Sequence, residues 1–388
     1  MENLPVSDNE DLADEIFGTE TYKAPEPHKK DFSPWHKPRK QYIRHHQWCK
    51  EIEALLVDMR PDSNTLKYLG LPGDDLLDLR YFHAKVCEPR KMGLRFLGFN
   101  RNANPKSMQT DLNISLDEVR KLSSVDHQSE IIWDDFCLVA DDSSKAWNTT
   151  KALGPYDIIN LDLCDGFGKH EPGVFDDTYY SAVNQLMSLQ ARNKNPWLLF
   201  LTTRAEKHHV HSDTLHRLLE KYLQNLASCP RFKAASMETF AIQDEISLKA
   251  AADTGDGHLA VLLVGLCKWL LGIAITQQPP SRVEVKSTIG YRVYAGAPHD
   301  DLISLALRFD PSFVPVGDPM GFAKHLSTLP NECELAAEAL TQVGQRSCAD
   351  KILADNMKLY SQMAEAMADL LRLARYDVPA FHAWLEAG

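Results

Sequence analysis

The sequence predicts an α/β protein with a mostly parallel sheet, a terminal antiparallel strand pair and a helical C-terminal region. Short apolar runs alternate with helical patterns from residue 65 onward, and this alternation favours a parallel sheet covered by helices on both faces. After the fifth run come a long apolar helix and two β-rich segments with a short loop between them. Such a pair of segments indicates antiparallel strands at one edge of the sheet.

The predicted elements follow one another in a regular order. Strands are expected at residues 66–71, 94–99, 136–140, 158–163 and 197–202. Helices are expected at residues 38–58, 74–87, 116–122, 178–193, 212–226 and 257–275. The antiparallel pair is assigned to residues 282–294 and 302–309, and the chain reads as helical from residue 321 to its end.

The charge of the chain divides it into regions. The 388 residues contain 42 Lys and Arg against 54 Asp and Glu, a net charge of −12, which is unlike a basic nucleic-acid binder. Residues 1–22 carry seven acids and no base, whereas residues 23–50 carry eight bases and two acids. We therefore predict a disordered acidic tail and linker (1–30), a basic aromatic arm (31–60), the α/β domain (61–315) and a helical region (316–388).

The basic arm combines cations with aromatic rings in DFSPWHKPRKQYIRHHQW. Lys37, Arg39, Lys40 and Arg44 are predicted to neutralise the phosphates of a nucleic acid, while aromatic rings of the arm stack on its bases. Docking of the arm on the acidic remainder of the chain is an equal alternative, and a protein partner is a third.

Polar and glycine residues follow four of the predicted strands. Gly70 and Gly73 lie in LKYLGLPGDD, where glycines allow a ligand to approach the backbone at a helix start. The second strand ends at Asn100. The remaining candidates follow the third and fourth strands, at the edge where open α/β sheets bind ligands: Asp141, Asp142, Asp162 and Asp165.

This order of elements and motifs over residues 60–310 resembles the Rossmann-like class I S-adenosylmethionine-dependent methyltransferases. The resemblance implies that Gly70, Gly73 and Asn100 hold S-adenosylmethionine, with Asp141 and Asp142 near the adenine. It departs from the family pattern at Tyr68, where the family has an acid, and at Pro72 and Asn100.

The stretch YDIINLDLCDGFG resembles the Asp/Asn-Pro-Pro-aromatic motif of nucleic-acid amino-methyltransferases, without its proline pair. The resemblance implies that Asp162 and Asp165 orient an amino nucleophile, so methylation of DNA or RNA is the first functional hypothesis. The pattern is also similar to methyltransferase-like proteins of bacterial mobile and defence loci. A catalytically inactive scaffold subunit of a multiprotein complex is the alternative, because Tyr68 and Asn100 replace cofactor acids.

Other features complete the prediction. His208, His209, His211 and His216 cluster with Asp213, and we expect a polar loop at a pocket rim there, with no metal assigned. The eight scattered cysteines and the missing signal-peptide pattern predict reduced thiols, a cytoplasmic location and no membrane association. A seven-residue apolar repeat after residue 353 predicts either a core-facing helix or a seam for a homodimer or protein partner.

Overall fold

The computed structural model describes residues 29–59, 64–101, 107–176, 178–293, 300–312, 320, 322 and 330–387. The predicted disordered tail falls almost wholly outside these described residues. Eight strands form one sheet in the order β3-β2-β1-β4-β5-β7-β6-β8. The strands are β1 (Thr65–Gly70), β2 (Gly93–Phe99), β3 (Glu130–Ile132), β4 (Ile158–Gly166), β5 (Trp197–Arg204), β6 (Ser281–Tyr291), β7 (Leu302–Pro311) and β8 (Ser347–Cys348).

The direction of the strands confirms the predicted fold class. Strands β1 to β5 pair in parallel, whereas β7 runs antiparallel to both of its neighbours, β5 and β6. The antiparallel pair thus joins the sheet through its second strand, and β8 adds a short parallel pairing beyond β6.

Helices cover both faces of this sheet. Those of the described residues are α1 (Pro38–Tyr42), α2 (Lys50–Asp58), α3 (Leu77–Phe82), α4 (Glu88–Arg90), α5 (Ser107–Arg120), α6 (Lys145–Leu153), α7 (Tyr179–Gln190), α8 (Ser212–Ser228), α9 (Pro230–Phe240), α10 (Glu245–Asp253), α11 (Gly255–Thr276), α12 (Glu332–Gly344), α13 (Ala349–Asp355), α14 (Met357–Leu373) and α15 (Val378–Ala387). A π-helical stretch, Ile43–Cys49, joins α1 to α2 without a break.

Two apolar layers sandwich the sheet because its central strands bury both faces. The β5 segment WLLFLTTR is buried along nearly its whole length. One layer contains α7, α8 and α11, and the other contains the arm together with α3, α14 and α15. The 22-residue α11 is long and apolar enough to cross a membrane, but 72% of its most apolar window is buried within the protein. It is the central core helix of its layer.

The predicted third strand is wrong in its position. Phe136–Ala140 forms a 3-10 helix, because Asp135 accepts a hydrogen bond from the backbone of Cys137 and caps it. The third strand is instead the short segment Glu130–Ile132, which pairs with β2. An apolar run of five residues fits a buried strand and a buried helical turn equally well, so its composition alone misassigned it.

The seven-residue repeat of the C-terminal helices faces the core of this chain. Met367, Leu370 and Ala374 are buried in the layer that contains the arm, and Met363 is buried as well. The core-facing alternative therefore describes these four positions, whereas Asn356 is exposed and Tyr360 is half-buried, and an association with a partner or a second copy stays a prediction.

A disulfide joins two cysteines that the sequence predicted as reduced thiols. Cys229 lies at the junction of α8 and α9, and Cys333 lies at the start of α12, with a Cα–Cα distance of 5.7 Å. The two are separated by 104 residues, so their spacing carried no signal of the pairing. The prediction of reduced thiols is wrong for this pair, whereas Cys49, Cys87, Cys267 and Cys348 carry free thiols.

This disulfide should contribute measurably to stability because it closes a long loop of the unfolded chain. Reducing it is expected to lower the free energy of unfolding by about 2–4 kcal/mol. Chemical denaturation with and without dithiothreitol measures the effect. The Cys229→Ser variant is the control, since its stability should not respond to reductant. An equal response of both proteins would contradict the assignment.

Candidate functional site

The topology of the sheet places a switch point at the carboxyl ends of β1 and β4. From β1 the chain moves outward to β2 and β3, and it then returns to β4 on the other side of β1. Loops that leave in opposite directions open a ligand-binding crevice at such a switch point. Gly70 at the end of β1 pairs with Asn160, and β4 continues to Gly166, so Asp162 and Asp165 extend beyond β1. We call this region the central crevice.

The loop after β1 is held in place by Asn100 at the end of β2. The Asn100 Nδ2 donates hydrogen bonds to the carbonyl oxygen of Pro72 at 3.1 Å and to Asp74 Oδ1 at 3.0 Å. The ring of Pro72 packs on Gly98, where a Cβ atom would lie 2.8 Å from the proline Cγ. Gly73, in contrast, is exposed and has open space around it. The two bonds fix the orientation of the Asn100 amide.

Tyr68 occupies the position at which the resembling family has an acid. Its side chain is 1% exposed, and its ring lies so close to Gly70 that a side chain there would collide with the hydroxyl. Burial raises the pKa of Tyr68 well above its usual range, and the nearby carboxylate of Asp78 acts in the same direction. The hydroxyl therefore stays neutral and supplies no negative charge.

Asp162 is paired with a buried lysine of the arm. The Lys40 Nζ lies 2.7 Å from Asp162 Oδ1 and 3.3 Å from the hydroxyl of Tyr291, and it lies 4.6 Å from the ring centre of Trp48. Burial alone would lower the pKa of Lys40, but Asp162 and Tyr291 outweigh it and raise this pKa. The lysine side chain is 3% exposed and that of Asp162 is 23% exposed. A charged carboxylate thus meets the crevice with a cation behind it.

The other cations of the arm also have partners within the chain. Arg44 binds Asp78 at 2.5 Å, Arg39 binds Asp350 at 3.1 Å, and the Lys37 ammonium lies 4.1 Å from the ring centre of Trp384. Just before the arm, Lys29 binds Asp75 at 2.8 Å.

These contacts correct the nucleic-acid prediction for Lys40 and Arg44. Both side chains are buried, so neither can reach a phosphate in this conformation. Docking of the arm on the acidic body, the equal alternative, accounts for all four predicted cations.

The two acids predicted near the adenine have hydrogen-bond partners within the chain. Asp141 accepts hydrogen bonds from the backbone and the hydroxyl of Ser143, both at 2.8 Å, and these bonds lower its pKa. Asp142 accepts a bond from Gln185 at 2.5 Å. Both acids are exposed. Capping of the following turn accounts for the contacts of Asp141.

Asp165 connects the end of β4 with the histidine-rich loop after β5. Its Oδ1 accepts from the backbone of Gly166 at 2.7 Å and lies 3.2 Å from His209 Nδ1, while its Oδ2 binds Lys169 at 2.5 Å. Partial burial would raise the pKa of Asp165, but the bonds from Lys169, Gly166 and His209 lower it. Asp165 is therefore an ionised acceptor that orients an imidazole.

Sequence reasoning missed three contributors to the crevice. Lys40 was taken for a phosphate ligand, although its spacing of four and eight residues to Arg44 and Trp48 places all three on one face of a helix. Tyr291 ends β6 and reaches Lys40 from far along the chain, and Tyr376 donates to Asp75 Oδ2 at 2.8 Å. Nothing in the local sequence around the two tyrosines indicates these contacts.

The strand order, with β7 antiparallel between β5 and β6, is the Rossmann-like order that the resemblance to the class I methyltransferases predicts. The chain belongs to the PP_RS20740-like family, whose profile matches residues 29–386. No curated protein matches the sequence.

Solved structures show distant likeness to the chain. A protein assigned to the class I S-adenosylmethionine-dependent methyltransferases from Listeria monocytogenes has 11% identity and a TM-score of 0.34, over 81% of this chain and 80% of its own. Geranyl diphosphate C-methyltransferase from Streptomyces coelicolor has 10% identity and a TM-score of 0.28, over 79% and 100%. A protein assigned as a spermidine synthase from Corynebacterium glutamicum has 16% identity and a TM-score of 0.25 over 42% of this chain, which spans about half (49%) of that protein.

Removing the cation behind Asp162 should destabilise the protein. We expect Lys40→Met to cost about 3 kcal/mol, the lower end for a broken buried pair, because Asp162 keeps some contact with water. Replacing both partners, as Lys40→Met with Asp162→Asn, should recover part of this loss. Urea denaturation of the natural chain, the two single variants and the double variant measures the coupling free energy. Lys169→Met is the control, since its pair with the half-exposed Asp165 should contribute less than about 1 kcal/mol. Additive losses would contradict the coupling.

Docking of the arm should depend on pH through His36. Burial, together with Arg44 and Lys29, lowers its pKa from 6.5 to about 4, although Asp75 acts in the opposite direction. Between these two pKa values the unfolded chain binds the proton and the folded chain does not, so stability falls as the pH is lowered. We expect a loss of about 2 kcal/mol from pH 7 to pH 5. Over the same pH range, the free energy of unfolding of His36→Gln should fall by about 2 kcal/mol less than that of the natural chain. Denaturation at both pH values measures this, and equal losses in both proteins would refute the prediction.

Proposed function

We propose that this chain is an S-adenosylmethionine-dependent methyltransferase whose acceptor is an amino group. The observation that carries the proposal is the Lys40–Asp162 pair at the carboxyl end of β4, in the central crevice. A lysine buried to this extent is costly to desolvate, and such pairs concentrate at functional sites. The pair keeps a charged, oriented carboxylate at the position where the fold gathers its ligands.

The groups around the first loop fit the ribose part of S-adenosylmethionine. Asn100 is pinned through its Nδ2, so its carbonyl oxygen is a preoriented acceptor for a ribose hydroxyl. Gly73 leaves room for a ligand beside the loop. When bound, S-adenosylmethionine would supply an electrophilic methyl group, and the residues that would hold it are Gly70, Gly73 and Asn100. Asp141 and Asp142 already have partners within the chain, in Ser143 and Gln185, so we leave them out of this set.

The residues of the chain contribute mainly orientation to the reaction. Asp162 would accept a hydrogen bond from the acceptor amine and aim its lone pair, while Lys40 acts as a positioning residue that fixes the carboxylate. Asp165 would act at the rim of the same crevice. Methyl transfer from a sulfonium needs little acid–base help, so positioning of this kind supplies much of the rate.

A nucleobase amine stays within this proposal, but support for it from the arm is weak. The four predicted cations of the arm all have partners inside the protein, so a nucleic acid would have to bind through other groups. A role in a bacterial defence locus rests on the resemblance alone.

The second candidate is a non-catalytic scaffold subunit. It is favoured by the way in which the chain's own groups satisfy the acids around the first loop: Lys29 and Tyr376 bind Asp75, and Arg44 binds Asp78. On this reading the arm takes the place of a ligand. The two candidates make opposite predictions for cofactor binding.

Calorimetric titration of the full chain with S-adenosylmethionine and with S-adenosylhomocysteine tests the proposal. We expect saturable binding, which Asn100→Ala weakens about tenfold, as for the loss of one hydrogen bond of roughly 1.4 kcal/mol. Asp141→Asn is the matched control and should bind like the natural chain. Asp162→Asn should keep cofactor binding and abolish transfer of a labelled methyl group to DNA or RNA.

Each contrary outcome has a distinct meaning. No binding at millimolar ligand in the natural chain would overturn the enzyme and favour the scaffold. Weakened binding in Asp141→Asn but not in Asn100→Ala would place the cofactor elsewhere in the crevice than we propose.

A further inference from the structure

We propose that Glu206, His208 and His209 form a site for a divalent transition-metal ion, with Asp165 as the residue that orients His209. The three ligands lie in a short segment directly after β5, part of which is the 3-10 helix Lys207–His209. This inference does not rest on methyl transfer, because its three ligands have no role in the proposed reaction and only Asp165 is shared between the two proposals.

The separations of the ligand atoms suit one small ion. The Glu206 Oε2 lies 3.7 Å from His208 Nε2 and 3.9 Å from His209 Nε2, and the three ligand atoms lie within 4.8 Å of one another. Metal–ligand bonds of about 2.0–2.2 Å in tetrahedral geometry place neighbouring ligand atoms roughly 3.4 Å apart. The two distances to Glu206 are close to this value, and rotation of the side chains would have to bring the two imidazole nitrogens to the same separation.

A second carboxylate, that of Asp165, orients the imidazole ring of His209. The His209 Nδ1 lies 3.2 Å from Asp165 Oδ1, so a carboxylate oxygen is in position to accept a hydrogen bond from this ring nitrogen. The proton of a neutral ring is then held on Nδ1, which leaves the Nε2 lone pair toward Glu206. A carboxylate behind a ligating histidine is the usual support of such metal sites.

The position of this loop is built into the fold. Gly166 lies against the backbone of His209 so closely that any Cβ atom at residue 166 would collide with the His209 carbonyl oxygen. A backbone hydrogen bond of 2.8 Å from His211 to Gly168 anchors the end of the loop. The end of β4 thus holds the ligand segment directly above the sheet edge.

The set of donors selects the class of metal. Two imidazoles and one carboxylate suit zinc and the neighbouring first-row ions, whereas magnesium and calcium prefer oxygen ligands. Three protein ligands leave at least one position open for water or a substrate oxygen, as in catalytic sites. The His208 side chain is 70% exposed, which gives solvent access to such a position.

The other candidate cluster of the described residues is less suited to a metal. Asp300, Cys348 and Asp350 lie together, but Asp350 already binds the Arg39 guanidinium at 3.1 Å and the backbone of Arg292 at 2.7 Å. A cation of the chain therefore competes with an ion there.

Titration of the full chain with Co²⁺, followed by its visible absorption, and calorimetry with ZnCl₂ test the site. We expect one ion per chain, with affinity lost by at least a hundredfold in His208→Ala/His209→Ala and in Glu206→Gln. Asp165→Asn should weaken binding about 10–100-fold, because it removes the support of His209 and no ligand. His216→Ala and Cys348→Ser are the controls, and each should bind like the natural chain.

Several results would overturn the proposal. Unchanged binding in Glu206→Gln, or loss of binding in Cys348→Ser, would place the ion elsewhere. Absence of stoichiometric metal binding in the natural chain would refute the proposed site. The circular dichroism spectrum of each variant shows whether it has folded, and Glu206→Gln, which preserves shape, keeps the test valid if the double histidine variant does not fold.

Discussion

The ion pair between Lys40 and Asp162 is the constraint around which the described part of the molecule is organised. A buried ammonium is tolerated only with a close counter-charge and further polar contacts, and it finds them on β4, on β6 and in the ring of Trp48. Because these groups come from distant parts of the chain, the pair requires the arm, the central strands and the antiparallel strands to be in place together. It joins the N-terminal arm to the carboxyl end of β4.

Further cations of the N-terminal segment are paired with carboxylates in the same way. Acids gather where the first loop and α3 begin, at Asp75 and Asp78, and each is matched by a cation of the N-terminal segment. The aromatic rings of the segment fill the space between these pairs, as Phe32 does against Tyr376, Phe381 and Trp384. The cations of the basic N-terminal segment therefore lie in an internal interface. The arm and the C-terminal helices form one layer over the sheet.

The parts that sequence predicted well are those that periodicity determines. The strand–helix alternation, the long core helix and the antiparallel pair depend on local patterns, and the structure has them. The failures depend on distant partners: Cys229 and Cys333 are joined across 104 residues, and Lys40 is buried by residues more than 100 positions away. The histidine cluster was visible as composition, but its link to Asp165 needed the three-dimensional approach at Gly166.

The backbone bridge between Lys29 and Tyr376 has a consequence for synthesis. Lys29 accepts a hydrogen bond from the backbone of Asp377 at 3.0 Å, so the first described residue is held by a segment that is made some 350 residues later. The basic, aromatic arm therefore leaves the ribosome well before its binding surface is complete. During that interval the segment is exposed, and it is then that chaperones have most to protect.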